Sequence, residues 1–423
     1  MSVFCCNFCY SKNANAVYNF NPVPFGDSYM KTRQEAVNLP RQNLNLMRCE
    51  NCGLLQLQDG GTPAENYSNY LYVSKVTNNL LPFYMRIARR LIDYAAVSNS
   101  DSILDIGCND GSFLGMFKYR TNMLYGVDPS KTASKEAEEL GVRVLNTFFD
   151  NGSVVELLAL DCSPKIISCN YTLANISDLG KFFSHVLRLM NEETILNIIT
   201  GYHLDQFAVS MFEYINHDHL TYLTLSDFVK ISEAFGLKII YANRHEHKGG
   251  SLEIGLALGS SKYTPDETVN QLLQREEWLN SKSNFLVEEM MKNVKLQGAE
   301  LSSYLKAQKA LGRKIVGVGA SISSTLLISE LGIQEYISYL LDDDSRKDGL
   351  FAPSTGIEVK SLREISTESE LIIIIISWQH THKILQRLRH LGCRGSVVIP
   401  LPRIKIMELS SEYIPVPQKG ILD

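Results

Sequence analysis

The chain has little that would carry it across a membrane or onto nucleic acid. Its longest purely aliphatic run, Leu371 to Ile376, is far short of the roughly 20 apolar residues a spanning helix needs. Positive charge is not in excess: 41 Lys plus Arg stand against 46 Asp plus Glu, a net charge of -5. Neither nucleic acid nor an anionic membrane is therefore expected as a partner. No apolar h-region follows a basic start, so a Sec-type leader is not expected and the reading is cytoplasmic. A disulfide framework is not expected either. The nine cysteines are an odd number, and Cys108, Cys162, Cys169 and Cys393 sit singly in apolar segments, where a free thiol behaves as a small hydrophobe. What is present is ordinary for folded protein, 45% hydrophobic and 21% charged, and 423 residues predict two or three domains rather than one.

The remaining five cysteines crowd into the first 52 residues as Cys6-x2-Cys9 and Cys49-x2-Cys52, with Cys5 left over. A two-residue spacer lets both thiolates of a knuckle face one Zn2+, and two knuckles complete a closed tetrahedral site. Four thiolates leave no open position, so the predicted zinc is architectural. Whether Cys5 or Cys6 ligates is open from spacing alone.

The sequence Ser102-Ile-Leu-Asp105-Ile-Gly107-Cys-Asn109-Asp110-Gly111 reads as a buried strand breaking into a glycine loop that opens a helix. Gly107 and Gly111 permit close backbone approach to a ligand. No Lys-Ser/Thr pair is present to grip phosphate, and Asp105 and Asp110 would repel a pyrophosphate. A second strand ends at Asp128, 21 residues after Gly107, where an acid in a doubly wound fold holds ribose hydroxyls. Acids around a glycine loop with no phosphate grip fit S-adenosylmethionine better than NAD. Further on, Asn216-His217-Asp218-His219 lodges two imidazoles around a carboxylate among aromatics, an arrangement suited to taking a proton near neutral pH.

On these motifs the chain resembles the S-adenosylmethionine-dependent C-methyltransferases of nucleotide-activated deoxysugars. The Asn109-Asp110-Gly111 form of the loop, the knuckles before it and the segment Lys165 to Asp178 all carry the likeness. The resemblance implies an α/β architecture: a class I methyltransferase Rossmann-like domain flanked by a small zinc-binding domain and a second Rossmann-like domain. The expected boundaries are 1–62 for the zinc domain, 63–265 for the methyltransferase domain, 266–310 for a helical connector and 311–423 for the carboxyl-terminal domain. It also implies that Asp105, Gly107, Asn109, Asp110, Gly111, Asp128 and Asn170 hold the cofactor and that Cys6, Cys9, Cys49 and Cys52 hold zinc. His219 would be the base, Asp218 its electrostatic partner and His217 a substrate or structural contact. Tyr70 and Tyr72 lie in a segment like the family's tyrosine-bearing entrance, and His247-Lys248-Gly249-Gly250-Ser251-Leu252-Glu253 resembles its His-Gly-Gly-Ser-Leu-Arg motif, which makes Lys248 a candidate substrate contact.

This sequence departs from the family at five positions. Asn216 replaces a tyrosine, Asp218 a glutamate, Asn175 a common histidine, and Lys248 with Glu253 a histidine and an arginine. The implied reaction is base-assisted enolate formation on a nucleotide-linked keto-deoxysugar and methyl transfer to carbon. The departures keep two alternatives in view: methyl transfer to oxygen or nitrogen of a related sugar, and a non-catalytic scaffold retaining the folds.

A second strand-into-glycine-loop signature, Lys314-Ile-Val-Gly317-Val-Gly319, is followed 25 residues after Gly317 by the acid Asp342, and the Leu371 to Ile376 run reads as a third parallel strand. Duplication of the fold without its ligand explains this repeat, so no second cofactor is expected. The oligomeric state and the identities of sugar and nucleotide are not legible.

Overall fold

The computed structural model describes residues 3–24, 27–58, 80–280, 283–367 and 371–409. In chain order the strands are β1 (Ala14–Pro24), β2 (Arg41–Cys49), β3 (Leu55–Leu57), β4 (Ser102–Ile106), β5 (Leu124–Val127), β6 (Arg143–Leu145), β7 (Pro164–Asn170), β8 (Ile195–Gly201), β9 (Thr221–Tyr222), β10 (Leu237–His245), β11 (Ser251–Leu258), β12 (Ile315–Val318), β13 (Leu340–Asp342), β14 (Val359–Ser361), β15 (Leu371–Ile375), β16 (Gly395–Ile399) and β17 (Lys405–Glu408). They belong to two compact units. The first takes Met1–Asn15, Met47–Asp205 and Asp218–Lys282; the second takes Ala16–Leu46, Gln206–His217 and Ser283–Asp423.

The first unit is built on a seven-stranded sheet of order β10-β11-β8-β7-β4-β5-β6. The run from β8 to β6 is parallel, and β11 lies antiparallel between β8 and β10. Strand β4 is buried at every position, as expected of a parallel strand covered on both faces. Helix Leu80–Tyr94 covers one face with Leu80, Phe83, Tyr84, Ile87, Ala88, Leu91 and Ile92, apolar residues recurring at three- and four-residue spacing. Strand order reverses between β4 and β7, and open α/β sheets bind ligands outside the carboxyl ends of their strands at such a point.

One local expectation changes. The glycine loop after β4 leads into a 3-10 turn, Leu114–Phe117, not directly into an α-helix. The described residues after Glu267 are helical over Glu267–Asn280 and Ser283–Ala310.

The second unit carries a six-stranded sheet of order β14-β13-β12-β15-β16-β17, parallel except for β17. Within it β1 pairs with β2, and Met30 bridges to Phe351. Among the described residues no helix is long and apolar enough to cross a membrane.

Candidate functional site

The zinc ligands are set by two turns of one design. Cys6 N–H bonds Ser11 O (2.9 Å) and Tyr10 N–H bonds Cys6 O (3.1 Å); Cys49 N–H bonds Leu54 O (3.0 Å) and Gly53 N–H bonds Cys49 O (2.9 Å). The residue after each knuckle, Tyr10 (φ 60°) or Gly53 (φ 82°), turns the chain through the left-handed region. The Sγ atoms of Cys6, Cys9, Cys49 and Cys52 all lie within 4.8 Å of one another. Cys6 to Cys52 and Cys9 to Cys49 are each 3.5 Å. Four sulfurs at about 2.3 Å from a central zinc stand about 3.8 Å apart, so the donor set fits Zn2+. Cys5 is outside it, its Sγ turned to Tyr10 O at 3.9 Å, which settles the choice between Cys5 and Cys6.

The crevice between β4 and β7 is lined with acceptors. Asp105, the penultimate residue of β4, is 2% exposed, and its Oδ1 accepts from Ser168 Oγ (2.6 Å) and Asn170 Nδ2 (3.3 Å) across the crevice. Burial pushes its carboxyl up to about 7, opposed by the Ser168 hydrogen bond. Asp128, after β5, accepts the Asn109 amide (2.9 Å) on Oδ2 and the Ser130 amide (2.8 Å) on Oδ1, and Asp110 Oδ1 accepts the Ser112 amide (3.1 Å). Asn109 (φ 50°), Gly107 (φ 76°) and Gly111 (φ 72°) give the loop its left-handed course. At Gly107 a Cβ would lie 2.2 Å from Thr172 Oγ1, so the loop packs directly on the chain leaving β7. Asn170 Oδ1 is buried with no hydrogen-bond partner among the described residues. An unpartnered acceptor, two more carboxylates and no phosphate-gripping cation fit a ligand that offers an ammonium and ribose hydroxyls. S-adenosylmethionine offers both.

The His219 segment meets the same place. Leu220 N–H bonds Ala174 O at 2.7 Å, in the turn Leu173–Asn175 that follows β7, and the next residues form β9, paired with β3. His219 and Asp218 are half-buried in the first unit. His217 belongs to the second unit, buried with Nε2 3.4 Å from Asn43 O, and burial lowers its pKa. Asn175 has Oδ1 buried without a partner among the described residues.

Lys248, in the left-handed region (φ 53°), places Nζ 3.8 Å from the centroid of the Tyr171 ring, and burial brings its ammonium down to about 8. Tyr171 follows Asn170, and its hydroxyl lies 3.0 Å from His247 Nδ1 and 2.8 Å from Ser251 Oγ. Glu253 is fully buried and pairs with Arg90 (2.5 Å) and His245 Nε2 (3.0 Å), so it is a charge-matched member of the sheet. Tyr70 and Tyr72 lie outside the described residues.

Sequence reasoning passed over Ser168, Thr172 and Tyr171. Ser168 shares a strand face with Asn170 two residues on, a period-two signal that pointed to it once Asn170 was chosen.

Known proteins match the chain in the same order. A family model described as "Putative zinc binding domain" matches residues 6–67, one described as "Methyltransferase domain" matches 80–242, and one described as "C-methyltransferase C-terminal domain" matches 246–402. A curated relative, the C-methyltransferase NovU of Streptomyces niveus, is 18% identical over 408 residues, covering 96% of this chain and 97% of that protein. Among solved structures, the Bacillus YcgJ protein is 15% identical over 41% of this chain and 98% of its own, with a TM-score of 0.33. An S-adenosylmethionine-dependent methyltransferase from Clostridium acetobutylicum is 14% identical over 43% and 92%, with a TM-score of 0.34.

Proposed function

We propose that this chain, an S-adenosylmethionine-dependent methyltransferase with a zinc-binding segment and a C-methyltransferase carboxyl-terminal domain, methylates carbon in a nucleotide-linked keto-deoxysugar. The similarity to the C-methyltransferase NovU over nearly the whole of both chains supports carbon as the acceptor, and the substrate class rests on the motif resemblance. The observation that carries the site is the Leu220 to Ala174 hydrogen bond, which sets His219 one residue from the turn bordering the acceptor-lined crevice.

When bound, S-adenosylmethionine supplies a methyl group on a sulfonium, a good leaving group. Asp105 and Asn170 hold its ammonium, and Asp128 takes its ribose hydroxyls. A ketone at C4 of the sugar acidifies the hydrogen on C3, and His219 removes that proton with Asp218 supporting the imidazolium. Lys248 contacts the substrate. The carbon so activated would take the methyl group as its bond to sulfur breaks, leaving neutral S-adenosylhomocysteine, and what the chain would supply to that transfer is placement.

Methyl-labelled cofactor and a 4-keto nucleotide sugar in deuterated water test this reading. Exchange of the C3 hydrogen and label transfer to carbon are expected, with exchange lost in His219→Asn. Transfer without exchange would move the acceptor to oxygen or nitrogen. Failure of the purified chain to bind S-adenosylmethionine by calorimetry would leave a scaffold.

A further inference from the structure

Gln56 is a primary amide with 1% exposure, between Leu55 and Leu57 in a three-residue strand. Burying an amide is costly unless its polar atoms are matched, and these are. Oε1 accepts Asn7 N–H at 2.8 Å, and Nε2 donates to Cys5 O at 3.0 Å and to Leu57 O at 3.3 Å. Cys5 and Asn7 flank the zinc ligand Cys6, so the side chain grips the first knuckle from both sides.

The backbone around Gln56 reaches the other way. Leu55 pairs with Tyr222 and Gln56 with Thr221, and Leu57 N–H bonds Leu220 O at 3.0 Å. Leu220 also gives its own N–H to Ala174 O, so the residue following His219 is held on both of its peptide groups. The first knuckle has a second hold on the segment after β7. Asn7 O accepts Leu179 N–H (2.8 Å), Tyr10 Oη donates to Asp178 Oδ1 (2.7 Å), and a Cβ at Gly180 would fall 2.2 Å from Tyr10 Oη. Residues 215–220 have no helix or strand of their own. On the first unit's side of this segment, the backbone bonds of Leu220 tie it to β3, and the Gln56 side chain ties β3 to the metal clip.

We propose that Gln56 is a positioning residue that carries the rigidity of the zinc clip through the β3–β9 pair and fixes His219 against the turn after β7. This rests on the reading in which His219 is the base. A base displaced by about 1 Å from its productive position can lose on the order of 100-fold in rate while ligands still bind. The zinc then serves the reaction centre mechanically, without touching it.

The experiment compares full-length wild type, Gln56→Met, which keeps the side-chain length and makes no hydrogen bond, and Gln56→Glu, which keeps the acceptor for Asn7 and loses both donors. Zinc content, cofactor affinity by calorimetry, kcat with C3 exchange, and the nitrogen-15 imidazole resonance of His219, assigned by its loss in His219→Asn, are read for each. Gln56→Met should keep its zinc and bind S-adenosylmethionine within about twofold of wild type, lose roughly 10- to 100-fold in kcat and exchange, and shift the His219 resonance. Gln56→Glu should fall between. Wild type stripped of zinc should show the same resonance shift, which keeps the test open if Gln56→Met does not fold. An unmoved resonance in the zinc-stripped chain overturns the proposal, as does full kcat in zinc-loaded Gln56→Met. Equal losses of cofactor affinity and kcat with no resonance change also overturn it, since they mark a merely structural role. If wild type turns over no keto nucleotide sugar, the proposed reaction fails, while the resonance still reports whether the coupling exists.

Discussion

In the first unit the Gly107 amide bonds Val127 O at 2.8 Å, and Asp128 fastens the loop by accepting the amides of Asn109 and, two residues beyond itself, Ser130. In the second unit the Gly319 amide bonds Leu341 O at 2.8 Å, and Asp342 accepts the amides of Ala320 (2.6 Å) and, again two residues on, Asp344 (2.9 Å). The residues beneath the two clasps differ. Two positions before the clasped glycine, Gly107 or Gly319, the first unit has Asp105, paired in register with Ser168; the second has Gly317, paired with Ile374. The space a side chain would need at Gly317 is filled by Leu340 and Ile376, whose carbons lie 2.7 and 3.0 Å from an added Cβ. The second loop also meets a cation of its own unit: Lys347 Nζ donates to Ala320 O at 2.6 Å and pairs with Asp27 at 2.7 Å. The clasp is thus a fastening that any strand-loop-strand of this kind can use. What differs is the pair of side chains beneath it, acid and hydroxyl in one unit, hydrocarbon in the other, and it is there that the proposed function puts the ligand chemistry.

The largest effects should come from adding one methyl group to each loop. Gly107→Ala puts a Cβ 2.2 Å from Thr172 Oγ1 at φ 76°, and Gly319→Ala puts one 2.1 Å from Ser377 Oγ at φ 113°. Strain of this kind costs roughly 1–3 kcal/mol before the clash is counted, so both variants should melt several degrees lower. Only Gly107→Ala should also weaken S-adenosylmethionine binding, by roughly 100-fold or more, as read by calorimetry. Comparable weakening in Gly319→Ala would break the distinction between the loops.

Asp105→Asn is next, with an expected loss of about 10- to 100-fold in cofactor affinity, the scale of one hydrogen bond to a charged group. Its pH dependence sharpens the contrast. Folding raises this carboxyl from 3.8 toward about 7, so across that interval the native chain keeps a proton that the unfolded chain has released, and stability declines as pH rises. A cationic ligand favours the ionised form, so cofactor affinity should climb with pH up to about 7 and flatten in Asp105→Asn. The second unit has its own buried acid, Glu213, pushed up to about 8 by burial while Trp378 Nε1 donates to it at 2.6 Å. Glu213→Gln should flatten the stability profile between about pH 4.5 and 8 and leave the cofactor profile as it was. Identical cofactor profiles in wild type and Asp105→Asn would remove Asp105 from the binding site.

Much of this contrast was legible before folding, because it rests on local spacing. Strand, glycines and an acid 21 residues on announce the first loop, and the same grammar with an acid 25 residues after Gly317 announces the second; that Gly317 stands where the first loop has Asp105 emerges from the paired clasps. Paired cysteines with a two-residue spacer announce the metal. What spacing could not carry was the choice of Cys6 over Cys5, which depends on the backbone turn that directs each sulfur. Nor could it carry Thr172 or Gln56, since the Gly107 backbone that Thr172 crowds and the Cys5 and Asn7 groups that Gln56 bonds lie on segments brought together only by folding; Ser168 was marked by its period-two place beside Asn170, but not by its partner Asp105 on another strand. Lys347 is a case of the opposite kind. Beside Arg346 in the sequence it reads as half of a basic pair that could meet a diphosphate or, as such pairs more often do, lie solvated on the surface, yet it is drawn over the Tyr29 ring and onto Asp27, while Arg346 turns to Asp344.

The smallest and most discriminating change exchanges one clasp oxygen for an amide. In Asp128→Asn and Asp342→Asn the residue keeps its size and one acceptor, and the second backbone amide faces an NH2 group in place of oxygen. Each loop therefore loses one charge-assisted hydrogen bond, about 1–2 kcal/mol after the relief of burying a charge is set against it, and the two melting temperatures should fall by similar few-degree amounts. Their ligand effects should part. Asp128→Asn should weaken S-adenosylmethionine by roughly tenfold, because in the proposed reading the carboxylate that fastens the loop also accepts the ribose hydroxyls, whereas Asp342→Asn should leave affinity within about twofold. If both variants lose stability equally and neither changes affinity, Asp128 is a fastening alone, and the ribose must be held by another acceptor along the crevice.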